Sequence, residues 1–239
     1  FKYLKLPIQI TKKKSFDLIK IKGKNKIKSF NYNIPSDISS SSFFIVLTAL
    51  STNSRLKIKK VNINPTRDGI LKILKMMGVK IKIKNRKIYK GENIADLLIQ
   101  SGKSFRPINC PTNLNTSAID EFLLIFLVAA KSKGVSTFQN LAELNQKESP
   151  RLKWGAKILD MMGVENIVTD NSIKIYGNPQ FEVKKNIIIK NYLKDHRIFM
   201  TSIIAALAFG GKWKIHDQDS IKTSFPNFLK IVNDLKNND

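Results

Sequence analysis

Two segments of the chain share one apolar spacing: Leu71-Lys-Ile-Leu-Lys-Met-Met-Gly-Val79 and Ala156-Lys-Ile-Leu-Asp-Met-Met-Gly-Val164. Both read as helices followed by β-rich chain. In each, a glycine stands just past the last apolar turn, where a residue free to adopt positive φ closes a helix. Three further apolar stretches, Ser40 to Leu50, Ala118 to Ala130 and Asp195 to Ala208, also read as helices. Each is followed after a short break by an extended segment: Arg55 to Ile63, Val135 to Asn140 and Lys212 to His216. The plan of helix, strand, helix, then strand or strand pair recurs about every 75 to 85 residues and fills residues 36–239, which predicts an α/β chain of three similar units.

Residues 1–34 fall outside this plan. Pro7 to Thr11, Leu18 to Lys22 and Lys26 to Asn33 read as alternating strands with lysine on the exposed face, the expected tail of a preceding domain. Pro35-Ser36, a turn ahead of an N-cap at Asp37 or Ser39, is the expected crossover into the next domain. The predicted organisation is therefore 1–34 as part of another domain and 35–239 as a three-unit domain, with units near 35–99, 100–177 and 178–239.

Hydrophobic residues make up 42% of the chain in helix- and strand-length blocks, which predicts a globular core. The longest apolar run, Phe122 to Ala130, is far short of the ~20 residues that cross a bilayer, and it reads as a buried helix. The start at Phe1 shows neither an initiator Met nor the apolar stretch and cleavage site of a signal peptide; a truncated sequence is expected. The single Cys110 excludes an internal disulfide, and with two histidines it supplies too few soft ligands for a typical structural zinc site. A reducing, cytoplasmic compartment fits. The formal charge of +24 admits nucleic acid, an acidic membrane or a phosphorylated substrate as partner. However, all but six of the cationic residues are lysine, and they are spread over every segment without interleaved aromatic residues. With the abundance of Asn and Ile, this points to the bias of an AT-rich genome, so neither a nucleic-acid nor a membrane partner is expected.

Candidate chemistry gathers where helices are expected to begin: Ser39 to Ser42, Thr66-Arg67-Asp68, Lys147-Glu-Ser-Pro-Arg151 and Asp195-His-Arg197. Unpaired N–H groups and a partial positive charge make helix starts receptive to phosphate and carboxylate, and an adjacent Arg or Lys adds selectivity for anions. Ser149 is the expected N-cap with Pro150 at the first helical position, which would place Arg151 in the first turn. Asp120 and Glu121 precede the most apolar helix, where an ionised carboxylate calls for a partner. A carboxylate near Lys147 and Glu148 suits proton transfer at a substrate hydroxyl; ordinary capping and solvated charge is the alternative reading of each start.

Taken in order, these motifs resemble the EPSP synthase (3-phosphoshikimate 1-carboxyvinyltransferase) family, in its C-terminal portion. Ile34-Pro-Ser-Asp-Ile-Ser-Ser-Ser-Ser-Phe-Phe44 resembles the family's interdomain crossing and Asn64-Pro-Thr-Arg-Asp-Gly-Ile-Leu71 its Asn-Pro-Thr-Arg-x-Gly motif. Ile119-Asp-Glu121, Lys147-Glu-Ser-Pro-Arg151, Asp195-His-Arg-Ile-x-Met200 and Thr223-Ser-Phe-Pro226 follow at about the family spacing. The resemblance implies an enolpyruvyl transferase fold: an inverse α/β barrel-like domain of three βαβαββ units, with parallel inner helices and outer sheets, closing on a second such domain. It also implies transfer of the enolpyruvyl group of phosphoenolpyruvate to the 5-hydroxyl of shikimate 3-phosphate, with release of phosphate and no metal or organic cofactor, in aromatic amino acid biosynthesis by way of chorismate. Asp120 matches the proton acceptor at the shikimate hydroxyl, Lys147 the residue touching both substrates, and Glu148 the second proton-transfer carboxylate. Arg151 and Arg197 match the arginines that hold phosphoenolpyruvate, a role that fits a planar, bidentate fork.

The sequence departs from the family at Asn145, where a basic residue is usual, at Pro150, where Asp is usual, and at Ser36, where the crossing carries glycine. Strain is expected at Ser36, and weaker support for Lys147 and Arg151. The family's N-terminal substrate-binding segments are missing from these residues, so the chain is expected to be inactive alone, to need an N-terminal half, and to be a monomer when joined to it. Three other readings stay open. One is the related UDP-N-acetylglucosamine 1-carboxyvinyltransferase, for which Cys110 is a superficial match, since that enzyme's cysteine lies in the other domain. The others are a basic RNA-binding module and a degenerate, non-catalytic family member.

Overall fold

The computed structural model describes residues 3–236. Helix α1 (Ile38–Leu50) begins at Asp37, whose side chain accepts the Ser40 N–H at 2.7 Å. It leads to strand β3 (Arg55–Asn62), helix α2 (Gly69–Met76) and the strand pair β4 (Lys80–Tyr89) and β5 (Glu92–Gln100). The three strands form one antiparallel sheet in the order β3-β5-β4, and Ser36 adds a parallel bridge to Val61 at its edge. The pattern returns in helices α3 (Asn115–Ala118) and α4 (Phe122–Ala130), strand β6 (Gly134–Phe138), helix α5 (Arg151–Met162) and the strands β7 (Asn166–Val168) and β8 (Ile173–Gly177), with sheet order β6-β8-β7. Again a segment ahead of the first helix pairs in parallel with the strand after it, through Asn109 and Thr137. Strand β9 (Asn186–Ile189), helix α6 (His196–Phe209), strand β10 (Lys212–Ile215) and helix α7 (Phe228–Lys236) repeat the order once more, with β9 parallel to β10.

Among the described residues the chain is thus mixed α/β, with open sheets and no closed barrel.

Helices α1, α4 and α6 pack on one another at the centre. All nine residues of α4 are buried, and a helix that is apolar all round is stable only when surrounded. The sheets lie outside, with Ile81, Leu97, Ile99, Ile173 and Ile175 turned inward and Lys57, Lys82 and Lys174 turned to solvent. Part of the lysine excess is therefore the polar half of an alternating strand pattern, spread over separate sheets. The two Met-Met-Gly-Val stretches close their helices alike. Gly78 and Gly163 adopt φ of 87° and 97°, and Val79 and Val164 donate N–H bonds to Leu74 and Leu159 carbonyls at 2.9 and 2.8 Å, the six-to-one bond of a Schellman cap.

Three local expectations are corrected. The helix expected over Ala118 to Ala130 is broken at Ile119–Glu121 and bends by 120° between the helical segments on either side. The carboxylates of Asp120 and Glu121 are thereby turned toward cations on other helices instead of lying along an apolar stack. Of the three strands expected before residue 34, only β1 (Ile8–Lys12) and β2 (Asp17–Ile21) form, as an antiparallel hairpin exposed on nearly every residue; Lys26 to Asn33 joins no ladder. Finally, Ser36 is not strained: it is absent from the positive-φ residues, and its hydroxyl donates to the Lys59 carbonyl at 3.0 Å. Among the described residues no single helix is long and apolar enough to cross a membrane.

Candidate active site

The starts of α1, α2, α4, α5 and α6 meet around Asp120. Its Oδ1 lies 3.4 Å from Arg151 Nη1 and 3.9 Å from Lys147 Nζ, and its Oδ2 lies 3.7 Å from both Arg67 Nη2 and Arg197 Nη2. Arg197 Nη1 also donates to the Asp120 carbonyl at 2.9 Å, so the turn ahead of α4 is gripped by backbone as well as side chain. The Asp120 side chain is 24% exposed, open to a ligand yet ringed by cations.

Beneath it sits a buried ion pair. Arg151 is 2% exposed and the Asp195 side chain is fully enclosed; Nε donates to Oδ2 at 2.8 Å and Nη2 to Oδ1 at 3.3 Å. Asp195 also accepts the Ser149 hydroxyl at 2.8 Å and, as N-cap of α6, the Arg197 N–H at 2.9 Å. Burial alone would push the Asp195 carboxyl up, but Arg151, Ser149 and the Arg197 N–H together outweigh it and hold the group below its ordinary value of 3.8. Arg151 Nη2 also pairs with Glu148, whose side chain remains 55% exposed at the rim. Lys147 reaches Glu143 at 3.0 Å.

A second buried carboxylate, Glu121, accepts the Ser39 hydroxyl at 2.5 Å and lies 3.7 Å from Arg197 Nη1. Burial dominates there and raises its pKa despite the Ser39 bond and the Arg197 charge. Arg67 Nη2 donates to the same Ser39 hydroxyl at 2.8 Å. His196 is pushed below its ordinary 6.5 by burial and by the neighbouring Arg197.

All five residues singled out from the sequence, Asp120, Lys147, Glu148, Arg151 and Arg197, stand in this cluster. The order Ser149 N-cap, Pro150 first turn is corrected: α5 begins at Arg151 with Pro150 in the cap position and no side-chain cap bond, while the Ser149 hydroxyl is spent on Asp195. Asn145, in place of a basic residue, accepts the Lys153 N–H at 3.3 Å and donates to the Asp170 carbonyl at 3.2 Å, tying the loop before Lys147 to α5. Sequence reasoning set Ser39, Arg67 and Asp195 at anion-receptive helix starts and left Glu121 in need of a partner, but assigned none of them to a substrate; only the assembled geometry pairs them. The Thr223–Pro226 stretch serves packing, since Phe225 lies edge-on to Phe44 and against Phe228. Cys110 is buried and its thiol is pushed up to about 11, which leaves it a poor nucleophile. Among the described residues no group of three or more His, Cys, Asp or Glu side chains is arranged to hold a metal ion. The cluster sets cations suited to an anionic ligand beside carboxylates suited to proton transfer.

Helices packed at the centre with open sheets outside are the fold of the enolpyruvyl transferases. NikO of Streptomyces tendae, titled an enolpyruvyl transferase, superposes with a TM-score of 0.67 over 94% of this chain and 49% of its own, at 15% identity, a likeness of fold alone. Within that class the likeness narrows. An EPSP synthase of Acinetobacter baumannii superposes with a TM-score of 0.87 at 33% identity, over 97% of this chain and 52% of that one. The family model described as EPSP synthase (3-phosphoshikimate 1-carboxyvinyltransferase) matches residues 3–232, and the chain belongs to that family. Relatives named 3-phosphoshikimate 1-carboxyvinyltransferase include those of Ruthia magnifica, 38% identical over 89% of this chain, and Petrotoga mobilis, 35% identical over 90%. The chain spans about half the length of the curated relatives it matches, 48% and 49% for these two.

Proposed function

We propose that this chain forms the C-terminal half of the substrate cleft of a 3-phosphoshikimate 1-carboxyvinyltransferase, transferring the enolpyruvyl group of phosphoenolpyruvate to the 5-hydroxyl of shikimate 3-phosphate. The observation that carries this reading is the Asp120 carboxylate set among Lys147, Arg151 and Arg197, with Glu148 at the rim. The addition step needs a base for the hydroxyl proton and an acid to deliver a proton to the phosphoenolpyruvate methylene as the new C–O bond forms. Elimination reverses both roles: the methyl group returns a proton and the C–O bond to phosphate breaks. Asp120 is assigned to the hydroxyl and Glu148, with Lys147, to the methylene. Arg197 and Arg151 are assigned to the anionic groups of phosphoenolpyruvate, with Glu148 releasing Arg151 Nη2 when the ligand arrives.

On this reading residues 1–34 belong to the opposite domain, the chain is inactive without an N-terminal half, and the joined protein works as a cytoplasmic monomer. The test is phosphate release from the two substrates by the chain joined to the N-terminal half of a close relative. Substrate-dependent release that falls by roughly a hundredfold or more in Glu148→Ala is expected. A folded joined protein with no turnover, in which neither substrate promotes binding of the other, would overturn the reading.

A further inference from the structure

Arg151 is buried and its donors face Asp195, Asp120 and Glu148. Arg67 is in the opposite situation. Its side chain is 49% exposed, its Nη2 donates to Ser39, and its other guanidinium N–H groups have no protein acceptor among the described residues. It nevertheless stands 3.7 Å from Asp120 Oδ2, the same distance as Arg197 on the same oxygen.

Its position is built from below. Ahead of α2, Asn64 Oδ1 accepts the Thr66 N–H and hydroxyl, both at 3.1 Å, and the Arg67 N–H closes back on the Asn64 carbonyl at 2.8 Å. Asn62 secures that turn by accepting the Asn64 N–H at 2.9 Å and donating to Glu92 at 2.7 Å. The guanidinium is then held by Ser39, itself 5% exposed and held by Glu121, which is 1% exposed. A freely solvated surface arginine would not require a buried hydroxyl and a buried carboxylate beneath it. Glu121 faces Arg197 as well, so one enclosed acid links two guanidiniums that both approach Asp120 Oδ2.

We propose that Arg67 is a further anion-binding residue of this site, gripping a carboxylate or phosphate oxygen of a substrate, and that Ser39 and Glu121 are its positioning residues. The inference rests on the enolpyruvyl-transfer reading for the identity of the ligand, though not for the existence of an oxyanion contact. A planar fork with most of its donors free matches an oxyanion in two directions at once.

The test uses the joined protein and calorimetric titration with phosphoenolpyruvate, shikimate 3-phosphate and inorganic phosphate in turn, which separates the possible sources of the oxyanion. Arg67→Gln is expected to weaken one substrate by roughly tenfold to a hundredfold, the loss of a hydrogen-bonded charge contact. Arg67→Lys should recover part of that, and Ser39→Ala, which removes a bond that positions Arg67 and none to the ligand itself, should raise the KM for the same substrate about threefold with kcat kept. Arg86→Gln, an exposed arginine on β4, should change nothing. Affinities within twofold of the parent for both substrates in Arg67→Gln would overturn the proposal. If the parent binds oxyanions through Arg67 but shows no turnover, the arginine assignment stands and the enolpyruvyl reading falls. If the parent binds none of the three ligands, both fall.

Discussion

Replacing Asp195 by Asn removes one charge and almost no volume from the most enclosed ionic contact of the site. Asp195 neutralises Arg151, accepts the Ser149 hydroxyl and caps α6. Asn is as good an N-cap as Asp, so the cap survives while the pairing of the buried guanidinium is cut. Breaking a buried pair from one side typically costs about 3–5 kcal/mol, because the remaining charge stays desolvated. Here Arg151 keeps contacts with Glu148 and Asp120, which places the expected loss near the lower end, about 3 kcal/mol. For a protein of this size that corresponds to a fall in Tm of roughly 6–12 °C, read by circular dichroism. Asp195→Ala should cost about 1 kcal/mol more, the value of the lost cap. The effect has a defined pH dependence. The folded-state pKa of Asp195 lies below 3.8, so its stabilisation is complete above 3.8 and disappears as pH falls through the lower folded value. The gap between parent and Asn variant should therefore be full at neutral pH and close in strong acid. An Asn variant within 1 kcal/mol of the parent at neutral pH, or a gap that persists unchanged in acid, would refute the pairing as described.

Two further outcomes follow from the packing around the site. His196 is held below 6.5 in the folded protein, beside Arg197, Asp195, Glu148 and Arg151, so its contribution is complete above 6.5 and is lost as pH falls through its lower folded value. Thermal melts should show Tm declining through that window, and His196→Gln should flatten the decline. At Gly69, which opens α2, an added Cβ would meet Ser117 Oγ at 2.4 Å and backbone atoms of Ser117 and Ala118 at 2.8 and 2.9 Å. Gly69→Ala should thus push α2 off α3 and destabilise by about 1–3 kcal/mol in urea titration, despite alanine's better helix propensity; a stabilised variant would show that the contact relaxes freely.

Periodicity along the chain was sufficient for the repeated order of helices and strands, because the apolar residues recur at helical or strand spacing and α2, α5 and α6 end at glycines. Leu71–Val79 and Ala156–Val164 announce two equivalent helix ends in sequence, and the same backbone bonds close them in space. The candidate residues Asp120, Lys147, Glu148, Arg151 and Arg197 were also legible, since helix starts bearing charge are local features. Local pattern failed where the outcome depended on distant partners. Nothing near Ala118 to Ala130 foretells the break at Ile119–Glu121, where Arg197, 77 residues away, donates to the Asp120 carbonyl. Ser149 has the chemistry of a cap, yet Asp195, 46 residues on, claims its hydroxyl. Likewise Ser39 and Glu121, 82 residues apart, become one hydrogen-bonded pair only when α1 and α4 pack together. Local pattern thus sufficed for most of the repeated helices and strands and for the charged residues at their starts. Which charges are buried against one another and which face a ligand follows from the packing of α1, α4, α5 and α6, because desolvation and pairing depend on neighbours that chain order does not bring together.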